Sequence, residues 1–130
     1  MRILVTGANG QLGNEMQVLA KENPQHTYYF TDVQELDICN KDAVWAYIAE
    51  KRIELIVNCA AYTAVDKAED DSELAYKLNS EAPKTLACAA QFNGAAMIQV
   101  STDYVFDGTA HIPYTEAVSY THLTLPTNSL

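Results

Sequence analysis

Residues 1–13 read MRILVTGANGQLG, and this stretch decides the fold class of the chain. A short apolar run at residues 3–5 leads directly into three glycines, Gly7, Gly10 and Gly13, and a helical pattern follows. Such a strand–turn–helix junction binds pyrophosphate, because the glycines let the backbone come close and the helix presents unpaired N–H groups and the positive end of its dipole. The spacing is GxxGxxG rather than GxGxxG, so the interpretation depends on what surrounds it.

An acidic residue supports the interpretation. Asp32 closes the next apolar stretch and follows the glycines by about 20 positions, the separation typical of a dinucleotide site. A carboxylate at the end of the second strand can accept hydrogen bonds from the adenosine ribose hydroxyls. The alternative is a plain glycine turn with a solvated aspartate. The strand before the loop, the helix after it and the carboxylate together favour a dinucleotide site.

Composition excludes several classes of partner. The chain has 130 residues and a formal net charge of −9, from 17 acidic and 8 basic residues. A nucleic-acid or anionic-membrane surface needs a basic face, so neither partner is expected. No apolar run reaches membrane-spanning length and no signal sequence is visible, which predicts a cytoplasmic location. Cys39, Cys59 and Cys88 are widely spaced, which predicts free, mostly buried thiols, and no metal-ligand spacing occurs.

Apolar runs alternate with helical patterns along the chain. This alternation predicts an α/β fold, a Rossmann-type doubly wound parallel sheet with strand order 3-2-1-4. The predicted strands are residues 1–6, 27–31, 55–58 and 96–101. The predicted helices are residues 11–21, 41–51, 65–69 and 72–93. Since ligands of such sheets bind at the carboxyl ends of the strands, chemistry is expected there.

Small and polar residues follow the third and fourth predicted strands. Ala60 and Ala61 would let a flat group approach the backbone, and Thr63 offers a hydroxyl; a tightly packed turn is the alternative. After the fourth strand, Thr102 could donate a hydrogen bond to a substrate carbonyl and stabilise developing negative charge. Asp103 and Tyr104 would then shape the substrate side. The alternative here is a polar loop that ends in a turn.

Three motifs in one order, GANGQLG, CAAYTAVDKAE and STDYVFDG, resemble the dTDP-4-dehydrorhamnose reductases, which belong to the extended short-chain dehydrogenases/reductases. The likeness covers residues 1–116. It implies reduction of the 4-keto group of dTDP-4-dehydro-L-rhamnose to dTDP-L-rhamnose, with NADPH or NADH as cofactor. It also implies a nucleotide-sugar substrate and allows a homodimer in the full-length protein.

The resemblance places each family role on a residue of this sequence. Gly7, Gly10, Gln11 and Leu12 match the phosphate loop, which ends at Gly13. Asp32 matches the acid that binds the adenosine ribose, and Asp37 and Ile38 match the pair beside the adenine. Ala60, Ala61 and Thr63 match the segment along the cofactor, Thr102 the catalytic hydroxyl, and Asp103 and Tyr104 the neighbours of the substrate.

One family feature is missing. The reductases complete their catalytic triad with Tyr-x-x-x-Lys, and in this sequence that register falls on Pro126 and Leu130. Tyr47 and Lys51 match the string, but they lie on the second predicted helix, where Tyr47 fits the apolar stripe, so the match is interpreted as chance. Without the pair, negligible turnover is expected, because the carbonyl oxygen receives no proton.

The expected organisation is an NAD(P)-binding Rossmann domain at residues 1–117, the N-terminal half of a reductase, and a tail at residues 118–130 of non-native origin. Such a piece should expose the edge of the fourth strand and be prone to aggregation. Two other functions stay open. One is a non-enzymatic regulatory subunit similar to that of methionine adenosyltransferase, and the other is a reductase of a different nucleotide sugar. Asp32 would favour NADH by repelling a 2′-phosphate.

Overall fold

The computed structural model describes residues 1–60, residue 73 and residues 76–100, and this part contains four strands and three α-helices. They are β1 (Arg2–Thr6), α1 (Gln11–Glu22), β2 (Thr27–Phe30), α2 (Lys41–Lys51), β3 (Leu55–Asn58), α3 (Ala82–Phe92) and β4 (Ala96–Gln99). The four predicted strands and the helices predicted at residues 11–21 and 41–51 are confirmed, with ends that agree to within two residues. The helix predicted at residues 72–93 is confirmed at its C-terminal end only, where α3 ends at Phe92. The helix predicted at residues 65–69 lies outside the described residues.

The sheet confirms the parallel α/β fold and corrects the predicted strand order. All four strands run parallel in the order β2-β1-β3-β4, so the prediction 3-2-1-4 is wrong. An internal strand of a parallel sheet is covered on both faces and must be apolar on both. The apolar side chains of β1 and β3 meet that condition, whereas β2 carries Tyr28, Tyr29 and Phe30, which are half-buried. The aromatic strand therefore takes the edge.

Two apolar layers sandwich the sheet. On one face, Ile3, Val5 and Val57 pack together with Met16 of α1. The other face is a larger cluster from β1, β3, α2 and α3, which includes Leu4, Val44, Ile48, Ile56 and Leu86. The helix α1 carries the chain from β1 to β2, and α2 carries it in the opposite direction across the sheet, from β2 past β1 to β3. Right-handed crossovers therefore put these two helices on opposite faces. The reversal makes a crevice between the carboxyl ends of β1 and β3, where such sheets bind ligands.

The predicted long helix is interrupted within its described part. Residues Lys77–Glu81 form a π-helical turn that continues into α3. Pro83, at the start of α3, has no N–H to donate to the carbonyl of Asn79, so the normal α-helical ladder lacks one bond there. A single π turn, in which the N–H of Ala82 bonds to the carbonyl of Lys77, accommodates the gap.

Several apolar and thiol side chains are exposed. Ile98 and Val100 at the β4 edge are 52% and 39% exposed. All three cysteines are free, as predicted, but the prediction that they are mostly buried is wrong, because Cys39 and Cys88 are exposed and only Cys59 is half-buried. Cys39 lies in a surface loop, and Cys88 lies between the buried Ala87 and Ala89 on the outward side of α3.

The described part of the chain holds neither a membrane-spanning helix nor a metal-binding cluster. Among its helices, none has the length and apolar character to span a membrane. Within the same residues, no group of three His, Cys, Asp or Glu side chains could hold a metal ion.

Candidate functional site

The glycine loop connects β1 to α1 at the carboxyl end of the sheet. Gly7 has φ +63°, a left-handed conformation that favours glycine. The N–H of Gly10 donates to the carbonyl of Gly7 at 3.1 Å and closes the turn. The N–H of Asn14 then donates to the carbonyl of Gly10 at 2.9 Å and begins the helical ladder. The loop thus delivers the chain from a buried strand into a helix within four residues.

Close backbone packing explains why two of the three positions hold glycine. A Cβ atom on Gly7 would lie 2.6 Å from the backbone nitrogen of Ala60, where β3 ends. A Cβ atom on Gly13 would lie 2.5 Å from the Cα of Ala8 and would also overlap the carbonyl oxygen of Gly7. At Gly10 the nearest atom is 3.4 Å away, so this residue is exposed and meets little steric hindrance.

The N-terminus of α1 presents open hydrogen-bond donors. Its cap residue, Gly10, has no side chain, no side-chain hydrogen bond caps the helix, and its first turn holds no acidic residue. The N–H groups of Gln11 and Leu12 have no intrahelical acceptor, because they lie in the first turn. Both residues are exposed, so the positive end of the helix dipole faces a place that an anion can reach.

Asp32 fastens the end of β2 to the glycine loop. One carboxylate oxygen accepts the N–H of Asn9 at 3.1 Å, and the other accepts the N–H of Val33 at 2.8 Å. A carboxylate has about four acceptor positions, so capacity for further donors remains. The carbonyl of Asp32 also accepts the N–H of Leu36 at 2.9 Å, which turns the chain back toward the sheet. This geometry holds an acceptor beside the loop that is suited to a ribose hydroxyl.

A recess of about 60 Å³ lies beside the loop. Its lining residues come from the ends of β1, β2 and β3 and from the π-helical turn, and they are Gly7, Asp32, Val33, Leu36, Asp37, Ile38, Ala60 and Leu78. Five of these, Gly7, Asp32, Asp37, Ile38 and Ala60, are residues that the sequence singled out. The structure therefore brings together candidates that are up to 53 positions apart in the chain.

Other residues of the site were missed. Val33, Leu36 and Leu78 supply the apolar wall of the recess, and the side chain of Gln17 braces the loop by donating to the carbonyl of Ala8 at 3.0 Å. Leu36 and Ile38 alternate with polar neighbours and are 5% and 6% exposed, a two-residue periodicity that could have indicated a buried extended segment. No local pattern marks Leu78, because its role depends on how the π-helical turn packs.

The thiols near the site are weakly acidic. Burial raises the pKa of Cys59, which directly precedes Ala60. The pKa of Cys39 is also raised, first by the partial desolvation of its thiol and then by the negative charges of Asp37 and Glu81, against an opposing effect of Lys77. Neither thiol has the depressed pKa that marks an activated nucleophile. Asp37 itself is exposed and accepts the N–H of Cys39 at 3.0 Å.

Tyr47 and Lys51 form part of a packing cluster with Tyr29. The Lys51 Nζ lies 5.7 Å from the ring centroid of Tyr29 and 5.9 Å from that of Tyr47, and the two rings meet edge to face at 6.3 Å. Burial raises the pKa of Tyr47, and Tyr29 and Glu35 raise it further. A tyrosine that donates a proton in catalysis needs the opposite shift, so the structure supports the interpretation of this string as a chance match.

The remaining predicted site residues cannot be placed. Ala61, Thr63, Thr102, Asp103 and Tyr104 lie outside the described residues, as does the register of Pro126 and Leu130. The described residues belong to the cofactor side of the predicted site. The predicted substrate side stays a prediction from the sequence.

Comparison with known proteins finds a matching family profile, similar relatives and similar solved structures. A family profile described as the RmlD substrate binding domain matches residues 1–128. The chain is 45% identical over 107 residues to a dTDP-4-dehydrorhamnose reductase of Aggregatibacter actinomycetemcomitans, which covers 82% of this chain and 36% of the relative. A crystal structure of such a reductase from Clostridium acetobutylicum is similar with a TM-score of 0.86 and 53% identity, over 89% of this chain and 41% of that one.

A second solved structure carries a ligand. The dTDP-4-dehydrorhamnose reductase of Bacillus anthracis, in complex with NADP, is similar with a TM-score of 0.76 and 42% identity. The match covers 82% of this chain and 38% of that one. The chain thus spans about two fifths of the length of the relatives it matches.

Proposed function

Because the chain belongs to the dTDP-4-dehydrorhamnose reductase family, we propose that it binds NADPH or NADH as the cofactor part of a reductase that acts on dTDP-4-dehydro-L-rhamnose. One observation carries the proposal. The glycine loop packs against the end of β3 and opens an uncapped helix N-terminus beside the Asp32 carboxylate. This arrangement offers donors for a diphosphate and an acceptor for a ribose in adjacent places.

Different residues of the described part bind different parts of the dinucleotide. The N–H groups of Gln11 and Leu12 donate to the diphosphate, and Gly10 leaves room for it to approach. Asp32 accepts from the adenosine ribose, while Asp37 and Ile38 border the adenine in the adjoining recess. When bound, the nicotinamide supplies a hydride to a carbonyl carbon.

The chemical step needs groups beyond the described residues. We assign to Thr102 the hydroxyl that donates a hydrogen bond to the substrate carbonyl, with Asp103 and Tyr104 beside the substrate. Ala61 and Thr63 extend the cofactor segment that Ala60 begins. In the family register, the tyrosine and lysine positions hold Pro126 and Leu130, so the 130-residue chain should bind the cofactor without reducing the sugar.

The regulatory-subunit alternative is not favoured. The relatives described above are named reductases, and the resemblance in the glycine loop extends to 45% identity over 107 residues. The proposal that the sugar is dTDP-4-dehydro-L-rhamnose is supported by the names of these relatives.

Titration of the purified chain with NADH and NADPH tests the proposal. Reduced nicotinamide fluorescence and amide NMR spectra should both report saturable binding, with the largest shifts at residues 7–13 and Asp32. A Gly13→Val variant is the matched control and should bind far more weakly, because a side chain there overlaps the loop. If saturating dinucleotide left these amide signals of the folded chain unchanged, the proposal would be wrong.

An activity assay addresses the substrate. Addition of dTDP-4-dehydro-L-rhamnose to the chain with NADPH should give no measurable NADPH oxidation, because the proton donor is missing. Steady turnover by the 130-residue chain would contradict the assigned roles.

A further inference from the structure

Three polar side chains form a ladder across the carboxyl end of the sheet. Thr6, Asn58 and Gln99 are the last residues of β1, β3 and β4, and they are direct partners in the strand register. Thr6 and Asn58 are 1% and 0% exposed, whereas Gln99 is exposed. Two polar residues at full burial in an aliphatic sheet cost free energy unless their hydrogen bonds are satisfied.

The side-chain amide of Asn58 forms the hydrogen bonds of this ladder and one more hydrogen bond, to the backbone N–H of Ala60. The hydroxyl of Thr6 donates to Asn58 Oδ1 at 2.5 Å, and Asn58 Nδ2 donates to Gln99 Oε1 at 2.8 Å. Asn58 Oδ1 also accepts the backbone N–H of Ala60 at 3.3 Å. Gln99 Nε2 in turn donates to the carbonyl of Val100 at 2.9 Å. A single buried amide thus joins three strand ends and the backbone that leaves β3.

The Ala60 backbone is the surface on which the glycine loop rests. Its nitrogen is the atom nearest to the Cβ position of Gly7, at 2.6 Å, so a small displacement of Ala60 would change the support of the loop. Asn58 holds this nitrogen, and Thr6, which holds Asn58, directly precedes Gly7. The ladder therefore holds the loop in two ways. Thr6 is covalently joined to Gly7, and Ala60 packs against Gly7.

We propose that Asn58 is a positioning residue for the dinucleotide site, acting through the Thr6 hydroxyl on one side and the Ala60 N–H on the other. The inference rests on the proposed function. Asn58 is fully buried beneath the loop and sets the affinity for the diphosphate by holding the loop backbone in its binding geometry. The effect is independent of the adenosine end of the cofactor, where Asp32 lies.

Thr6→Val tests this role, because it removes the hydroxyl and preserves the β-branched shape. Thr31→Val is the matched control: Thr31 is 2% exposed, and its hydroxyl donates to the carbonyl of Val5 at 3.2 Å, outside the ladder. Thr6→Val should weaken the binding of NADH and NADPH by the same factor, about fivefold. Thr31→Val should change either affinity by less than about twofold at a similar loss of stability. Thr6→Ser, which keeps the hydroxyl, should restore most of the affinity.

Amide hydrogen exchange gives a second readout that needs no ligand. Thr6→Val should accelerate exchange at Ala60 and Gly10, whereas Thr31→Val should leave both unchanged. If Thr6→Val does not fold, Gln99→Met at an exposed position breaks the outer link and should produce the same pattern more weakly.

The outcomes separate this inference from the proposed function. Equal effects of the two valine variants on affinity and on exchange would overturn the positioning role. A change in the ratio of NADH to NADPH affinity in Thr6→Val would also overturn it, since that ratio depends on the adenosine ribose. If the wild-type chain bound neither dinucleotide, the proposed function would fail, and the exchange data alone would decide whether Asn58 positions the loop.

Discussion

The glycine loop and the aromatic cluster of Tyr29, Tyr47 and Lys51 both match short sequence motifs, but only the loop has the surroundings that its motif requires. The loop follows an internal strand, starts a helix and lies at the crevice where the chain direction reverses. In the cluster, the Lys51 ammonium lies over two rings and the pKa of Tyr47 is raised by burial. The comparison indicates that the surroundings of a short motif, rather than its residues alone, decide whether it can form a ligand site.

Gly7→Ala should have the largest effect on stability and binding, because it disrupts the close packing of the loop against the backbone of Ala60. The new methyl group would meet the Ala60 nitrogen at 2.6 Å, and the residue has φ +63°. We expect a loss of about 3 kcal/mol in the free energy of unfolding and dinucleotide affinity weakened roughly 100-fold or more. Urea denaturation and fluorescence titration measure the two quantities.

Gly94→Ala is the matched control for that experiment. Gly94 has φ +70°, but nothing lies within 4 Å of its Cβ position. Only the conformational cost remains, about 1 kcal/mol, and binding should be unchanged. Equal losses at the two glycines would show that the close approach to Ala60 contributes nothing.

Asp32→Asn should have a smaller and more selective effect. The amide oxygen can still accept the N–H of Asn9, but the oxygen that accepts the N–H of Val33 is replaced by an NH2 group, and the negative charge beside the proposed ribose position is lost. We expect the ratio of NADPH to NADH affinity to rise roughly three- to tenfold, because the repulsion of a 2′-phosphate disappears. Titration with both cofactors measures it. Asp37→Asn, at the same recess, is the control, and an equal shift there would contradict the assignment of Asp32 to the ribose.

The rates of cysteine alkylation should differ between Cys59, which lies beside the glycine loop, and Cys88, which lies on α3. Burial raises the pKa of Cys59, so at pH 8 less thiolate is present and its reaction with iodoacetamide should be roughly fivefold slower than that of exposed Cys88. Saturating NADH should slow Cys59 further and leave Cys88 unaffected. Peptide mass spectrometry measures the rates, and the urea-unfolded chain should show similar rates at both thiols. Faster reaction at Cys59 in the folded chain would contradict its burial.

Tyr47→Phe should have the smallest effect on binding, because the cluster takes no part in the site. Dinucleotide affinity should change by less than about twofold. The tyrosine of the unfolded chain loses its proton near its ordinary pKa of 10.0, whereas the folded state holds the proton to higher pH. The free energy of unfolding of the wild type should therefore fall as pH rises above 10.0, relative to Tyr47→Phe. Loss of binding in Tyr47→Phe would refute the chance-match interpretation.

Local patterns predicted most of the described elements. The bounds of α2 and β3 agree with the prediction residue for residue, because a cap residue, Asn40, and a short aliphatic run mark them clearly. The π-helical turn was not predicted, although Pro83 gave the signal, since a missing N–H permits several local solutions. The apolar side chains of α1 pack against the sheet only in part, because Leu12 and Leu19 are 42% and 49% exposed.

The residues of the candidate site that could be predicted from the sequence are those that adjoin a glycine or a strand end. Gly7, Asp32 and Ala60 satisfy this condition, and the structure gathers them at one recess. Leu78 and the bracing side chain of Gln17 were not predictable, because their roles depend on packing between distant segments. The same holds for the Asn58 ladder, in which each polar residue looks ordinary until the strand register aligns the three.

By itself, the sequence determined which segments become strands and helices and where the backbone had to be glycine. Short-range sterics and periodicity govern those choices, and both act over a few residues. Only the tertiary structure decided that β3 pairs with β1, that the aromatic strand β2 takes an edge, and that the string at Tyr47 lies in a packing cluster. Strand order follows from competition among whole surfaces for burial, and that competition is settled between residues far apart in the chain.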